Sequence, residues 1–419
     1  MQSPQDEMPP PYIPPGHEAL ALSWRHPKAL FNLSVTTFIL RIMTLGIYYF
    51  WAKTEVRKRL WSSIRINDEP LTYTGRGLEL FLGFIIVFLV VLLPASLGLF
   101  GLMFIFGPES QAANFGLLVL YVAIFFLYGI AIYRAIRYRL ARTRWRGIRG
   151  SLEGSPVSYA TTYFWTLLLV PMTLGWIVPW RTTKLQGILV NNMRFGDRPL
   201  GFNALSGPLY GPFAALWFGT LVLYLGIIGI LGATFANKSG LVKMPNGFYM
   251  PTTTSIAIIV VSIFVALFLF AAIGAWYRAR TINHFTNHTH FEAATFRANL
   301  TTGGLIWLGF TNFLILLSGA ILVAGLVSAV ALPFVGLDFA DVMAMQSRAA
   351  KQVVPGLAIF ITVVAFSLFA PIVQARTLRY TVQHMALDGT APLSEIEQVA
   401  GADVRYGEGL AEAFDVDAF

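Results

Sequence analysis

Seven arginines, Arg134, Arg137, Arg139, Arg142, Arg144, Arg146 and Arg149, fall in the string YRAIRYRLARTRWRGIRG with no acid among them. A guanidinium offers a planar fork of donors that matches phosphate, so such a run can bind anionic headgroups. It can equally anchor the positive end of a membrane helix. Arg41 stands alone inside an apolar stretch, where insertion costs about 2.5–3.5 kcal/mol. An ionisable residue there either marks a cavity or snorkels to the interface. His284, His288 and His290 cluster in NHFTNHTHFE, with an i, i+4 pair of the kind that can hold a metal. This metal reading is weak, because no HExxH accompanies the cluster and it follows Arg278 and Arg280 as an ordinary connector would.

What the apolar stretches lack narrows the chemistry further. The chain has no cysteine, only Glu79 among its 21 acids opens an apolar stretch, and its six histidines lie outside them. Thiol nucleophiles, Cys-ligated zinc, intramembrane Ser-His or paired-Asp proteolysis and carboxylate-borne proton transport therefore lack their residues. No Walker A string occurs either. The expectation is a non-enzymatic protein with no cofactor.

The elements that must position these residues are those of a membrane protein. The chain has 419 residues, 56% hydrophobic and only 12% charged, against about 25% charged in soluble domains. Apolar stretches at 78–106, 114–136, 204–235, 253–275, 303–334 and 354–375 each reach the roughly 20 residues that cross about 30 Å of hydrocarbon as a helix. Pro94 and Pro212 are the expected kinks. Two further stretches, 29–52 and 158–180, are ambiguous, and the positive-inside rule arbitrates. If both dip in and return, 25 of the 30 Lys and Arg residues share one face and four lie on the other, with Arg41 between. The sequence thus predicts an all-α integral membrane protein with six transmembrane helices, two re-entrant helical hairpins and both termini cytoplasmic; the alternative is eight transmembrane helices.

An internal repeat sharpens this layout. Displaced by 129 residues, TLGIYYFWAKTEVRKRLWSSIRINDEPLTY (44–73) aligns without a gap on TLGWIVPWRTTKLQGILVNNMRFGDRPLGF (173–202). Identities include Thr44/Thr173, Leu45/Leu174, Gly46/Gly175, Trp51/Trp180 and Asp68/Asp197. Each copy reads as a helix broken at TLG, where Gly takes a positive φ, then a tryptophan anchor at headgroup depth, a short polar helix and a turn. The expected divisions are a Pro-rich tail (1–28), repeat 1 (29–157), repeat 2 (158–302), a degenerate repeat 3 (303–393) and an acidic tail (394–419).

TLGIYYFWAKTEVRKRLW, RTRWRGIRGSLEGS and TLGWIVPW together resemble the YjgN-type family of bacterial multi-pass inner-membrane proteins, a domain family of unknown function. The resemblance covers about residues 24–400. It implies a bacterial cytoplasmic membrane and supplies no reaction, substrate or catalytic residue. The function expected is passage or binding of an anionic or amphipathic solute such as a lipid. The alternative is a structural protein of the envelope whose tails recruit a partner. Anionic membrane lipids are the expected partners, then a second copy of the chain or an envelope protein; nucleic acid is not expected.

Overall fold

The computed structural model describes residues 17–236, 240–243, 249–335 and 348–398. Ten helices lie among them: α1 (Leu30–Met43), α2 (Tyr49–Trp61), α3 (Gly77–Phe106), α4 (Gln111–Arg142), α5 (Pro156–Met172), α6 (Val178–Asn191), α7 (Gly207–Ala236), α8 (Thr253–Asn287), α9 (Thr302–Val335) and α10 (Arg348–Gln383). Five of the described helices, α3, α4, α7, α8 and the Thr302–Leu326 part of α9, are long and apolar enough to cross a membrane. Their apolar side chains point mostly outward, as Phe104, Phe264 and Phe268 do, which suits hydrocarbon as the surrounding solvent. The span expected at 354–375 lies within α10, but half of its side chains fall outside the described residues. Pro94 leaves α3 unbroken. A π turn at Phe88–Leu92 immediately precedes it, the local widening that relieves a proline ring pressing on the preceding turn.

The all-α expectation is overturned. At one end of the helices lies an eight-stranded antiparallel sheet, ordered β14-β13-β12-β9-β8-β7-β6-β5. Its strands are β5 (Thr72–Tyr73), β6 (Thr143–Trp145), β7 (Ile148–Leu152), β8 (Met193–Phe195), β9 (Arg198–Phe202), β12 (Thr289–Phe291), β13 (Ala294–Ala298) and β14 (Met385–Asp388). A second sheet joins β2 (Leu22–Trp24), β3 (Ile64–Ile66) and β4 (Glu69–Pro70), and β1 (Glu18–Ala19) pairs with β15 (Thr390–Ala391). At the far end of α7 and α8, β10 (Leu241–Lys243) pairs with β11 (Tyr249–Pro251). Neither six nor eight transmembrane helices in an all-α bundle describes this mixed architecture.

The sheet is built from the basic segments that read as connectors. Four hairpins close with two-residue loops, pairing Ile66 with Glu69, Trp145 with Ile148, Phe195 with Arg198 and Phe291 with Ala294. Asn67 and Asp68 both take positive φ, as do Arg146 and Gly147, the backbone that matches the twist of the flanking strands. Under the sheet, Leu20, Trp145, Phe291, Ala391, Leu393 and Ile396 form one apolar core from distant parts of the chain. The β1–β15 pair sets Glu18 beside Ala391, so both ends of the described chain leave from the same face.

Candidate functional site

The two ambiguous stretches fold as short helical pairs, α1 with α2 and α5 with α6, turning at TLG. The 14 residues of α1 span only about 21 Å at 1.5 Å per residue. The two turns use the same bonds. Gly46 N–H donates to the Arg41 carbonyl and Gly175 N–H to that of Val170, both at 2.7 Å, while Leu45 and Leu174 donate to Ile42 and Pro171. This is a Schellman closure, but its left-handed residue, usually glycine, is leucine: φ is 50° at Leu45 and 49° at Leu174, with the glycines following at 92° and 87°. Thr44 and Thr173 hydroxyls donate back to the Leu40 and Leu169 carbonyls and accept from the Tyr48 and Ile177 amides. Each threonine thereby ties the end of one helix to the start of the next.

The two tryptophan anchors diverge. Trp51 packs into the protein: its ring lies 5.6 Å from that of Phe81, and a Cβ on Gly77 would come within 2.7 Å of the Trp51 Cα. Gly77 thus lets the start of α3 close against α2. At the aligned position of the second copy stands Ser206, and there the helices leave a cavity of about 380 Å³ between α6 and the β9–α7 link.

 That 380 Å³ volume is lined by Trp180, Thr183, Lys184, Gly187, Ile188, Asn191, Phe202, Ala204, Leu205 and Ser206. Gly187 aligns with Lys58 of the first copy, so a long side chain is absent where the second copy opens. Trp180 remains 42% exposed at its edge.

The lining is amphipathic. Trp180, Ile188, Phe202 and Leu205 supply apolar wall, and the Lys184 ammonium, the Thr183 and Ser206 hydroxyls and the Asn191 amide supply polar groups. Asn191 is held in place because its Oδ1 accepts the Phe202 amide at 2.7 Å. His284 donates from Nε2 to the Leu205 carbonyl at 2.7 Å, fixing the link that closes the cavity. The chemistry on offer is one cation and several neutral donors beside an apolar slot, which suits a ligand with an anionic head and an apolar body.

The arginine run is largely part of the fold. Arg137 donates to the Leu152 and Gly154 carbonyls, and Arg142 pairs with Glu79 at 2.9 Å. Arg146 pairs with Glu18 and Glu69, each at 2.9 Å, and the hydrogen bond it donates to the Glu69 carboxylate pushes its pKa up. Arg139 lies half-buried near the end of α4, while Arg134 and Arg144 are exposed. Arg149 lies across from Arg144 in the β6–β7 ladder, its amide donating to the Gln398 side chain. Arg41, near the end of α1, stacks over the Tyr49 ring at 5.2 Å. His284 and His288 stay together, their ring centroids 4.4 Å apart and His288 donating from Nδ1 to the His284 carbonyl at 2.7 Å, whereas His290 sits in β12 opposite Gly201. Among the described residues, no three or more His, Cys, Asp or Glu are grouped to hold a metal ion.

Sequence reasoning about sites missed Lys184, Asn191 and Ser206. The available signal was the non-identity of the copies, Gly187 against Lys58 and Ser206 against Gly77.

Most of the chain is matched by known sequences. The family described as "Bacterial protein of unknown function (DUF898)" matches residues 26–413. The chain belongs to this family. It is also 27% identical over 177 residues to a protein of Salmonella typhimurium called "Inner membrane protein YjgN", an alignment covering 42% of each chain. The alignment therefore spans about two fifths of that relative's length. No solved structure matches. The chain is accordingly a multi-pass membrane protein of a family whose function is unestablished, and the YjgN-type resemblance read from its motifs holds.

Proposed function

We propose that this protein binds an anionic amphiphile of the bacterial inner membrane, without chemical turnover, in the cavity between α6 and the β9–α7 link. The observation that carries the reading is the cavity's lining, where Lys184 shares one 380 Å³ space with Trp180, Ile188 and Leu205. Its place between the apolar helices and the sheet is where a headgroup and the start of an acyl chain lie together in a bilayer. The side bearing the sheet is taken as cytoplasmic, because most Lys and Arg residues follow the helix ends there.

The test is retention of lipid after purification from mixed phosphatidylglycerol and phosphatidylcholine, counted by native mass spectrometry. Wild type should retain phosphatidylglycerol in preference. A charge-assisted hydrogen bond contributes about 1.5–3 kcal/mol, so Lys184→Met should weaken retention about tenfold or more, and Lys184→Arg should preserve it. Equal retention of both lipids by wild type, or none lost in Lys184→Met, overturns the proposal.

A second reading has one observation in its favour. The β1–β15 pair brings the two chain ends together, so both tails could contact one envelope partner. The tails themselves, 1–16 and 399–419, lie outside the described residues.

A further inference from the structure

Arg181 carries an inference separate from the cavity. On α6 it shares a stripe with Leu185 and Leu189, one and two turns further on, and those two leucines are buried against Ile132, Tyr133 and Tyr159 of α4 and α5. A cation therefore continues the stripe that packs inward. Its guanidinium stacks on the Tyr163 ring at 4.5 Å. Nε and Nη2 are buried and meet no hydrogen-bond partner among the described residues. Buried donors left unmade are costly, and the cost is greater for a charged group.

The surroundings indicate what would satisfy them. Tyr163 packs on Tyr128 at 5.9 Å, and the next residue, Phe164, packs on Phe126 at 6.1 Å. Phe164 and Phe126 in turn line an apolar groove of about 440 Å³ that continues along α4 through Val122, Val119 and Leu118. Tyr128 precedes Arg134 by six residues, about 9 Å along a helix, so the groove runs from near the basic boundary into the apolar part of α4. Arg181, with its spare donors, is thus tied to the groove through Tyr163, the residue before the wall residue Phe164.

The first helical pair adds a second observation. Arg181 aligns with Ala52, and Arg41 aligns with Val170, yet each pair of helices holds one arginine over a tyrosine of its opposite arm. Arg41 of α1 lies over Tyr49 of α2, and Arg181 of α6 lies over Tyr163 of α5. Charge near the TLG turn recurs while its position in the sequence does not, which a purely packing role does not require.

We infer that Arg181 holds the phosphate of an anionic membrane phospholipid whose acyl chain lies in the α4–α5 groove. The site is distinct from the Lys184 cavity and does not depend on it.

The test uses the full chain in phosphatidylcholine nanodiscs containing phosphatidylglycerol with a photoreactive acyl chain, the crosslinks being mapped by peptide mass spectrometry. Labelling is expected on residues 118–126 and Phe164. Arg181→Met should reduce it about tenfold, Arg181→Lys less, and Lys184→Met should leave it unchanged, so this inference and the cavity proposal fail separately. Val119→Trp fills the groove without touching the arginine and should also abolish labelling, which keeps the test decisive if Arg181→Met does not fold. Photoreactive diacylglycerol with the same chains should label the groove weakly and regardless of Arg181, and inorganic phosphate should not compete with the lipid. Undiminished phosphatidylglycerol labelling in Arg181→Met, or labelling spread evenly over the lipid-facing helices, overturns the inference.

Discussion

Removing Glu79 should expose how much of the arginine run serves the fold. Glu79 lies in the first turn of α3 and accepts two bonds from α4, from the Tyr138 hydroxyl and the Arg142 Nη2, each at 2.9 Å. The Arg142 and Glu79 side chains are 24% and 28% exposed, so water would replace part of what is lost. Two charge-assisted bonds contribute about 1.5–3 kcal/mol each at full burial. With partial exposure, Glu79→Ala should cost about 2 kcal/mol, which is roughly a thirtyfold change in the folded-to-unfolded ratio. Glu79→Gln keeps an acceptor and should cost about half as much. Unfolding in mixed detergent, followed by far-ultraviolet circular dichroism, reads both values. Combining Glu79→Ala with Arg142→Met should cost about 1–2 kcal/mol less than the sum of the single changes, as expected for partners in direct contact. Full additivity, or a Glu79→Ala protein as stable as wild type, would refute the assignment of Arg142 to the fold and return it to the pool of headgroup-binding arginines.

Other substitutions probe the turns and the asymmetry of the copies by the same unfolding assay. Gly46→Ala and Gly175→Ala place a Cβ at φ of 92° and 87° and should each cost about 1–2 kcal/mol. Leu45→Gly should cost nothing, or stabilise by up to about 1 kcal/mol, because that leucine is 95% exposed and already left-handed. Gly77→Ala forces a Cβ to within 2.7 Å of the Trp51 backbone and should destabilise by about 1–3 kcal/mol. Gly207→Ala, with nothing within 4 Å of the added Cβ, should be neutral or nearly so.

The long helices were legible because length and hydropathy are local properties. The stretch 78–106 corresponds to Gly77–Phe106, and 114–136 lies within Gln111–Arg142. TLG was legible as a break, since Gly46 and Gly175 carry the positive φ expected, although the residue that reverses the chain first is leucine. The sheet was not legible. Its strands are two to five residues long, too short to establish a period of two, and its pairings join residues as distant as Thr295 and Asp388. One local signal was available in the two-residue loops Asn67-Asp68 and Arg146-Gly147, which favour hairpins. The segment NHFTNHTHFE read as a metal candidate because its histidines were placed on one helix, whereas α8 ends at Asn287 and His290 belongs to β12. The cavity was hidden for a different reason. It depends on how far α7 stands from α6, and Ser206 and Gly187 mark that separation only when compared with Gly77 and Lys58.

An amphiphile lying beside Lys184 would be seen most directly in a high-resolution electron-microscopy map of the protein extracted with its native lipids. Elongated density is expected in the cavity between α6 and the β9–α7 link, with its polar end within hydrogen-bond distance of the Lys184 ammonium and its tail along Trp180 and Leu205. A well-resolved cavity holding only water would contradict it.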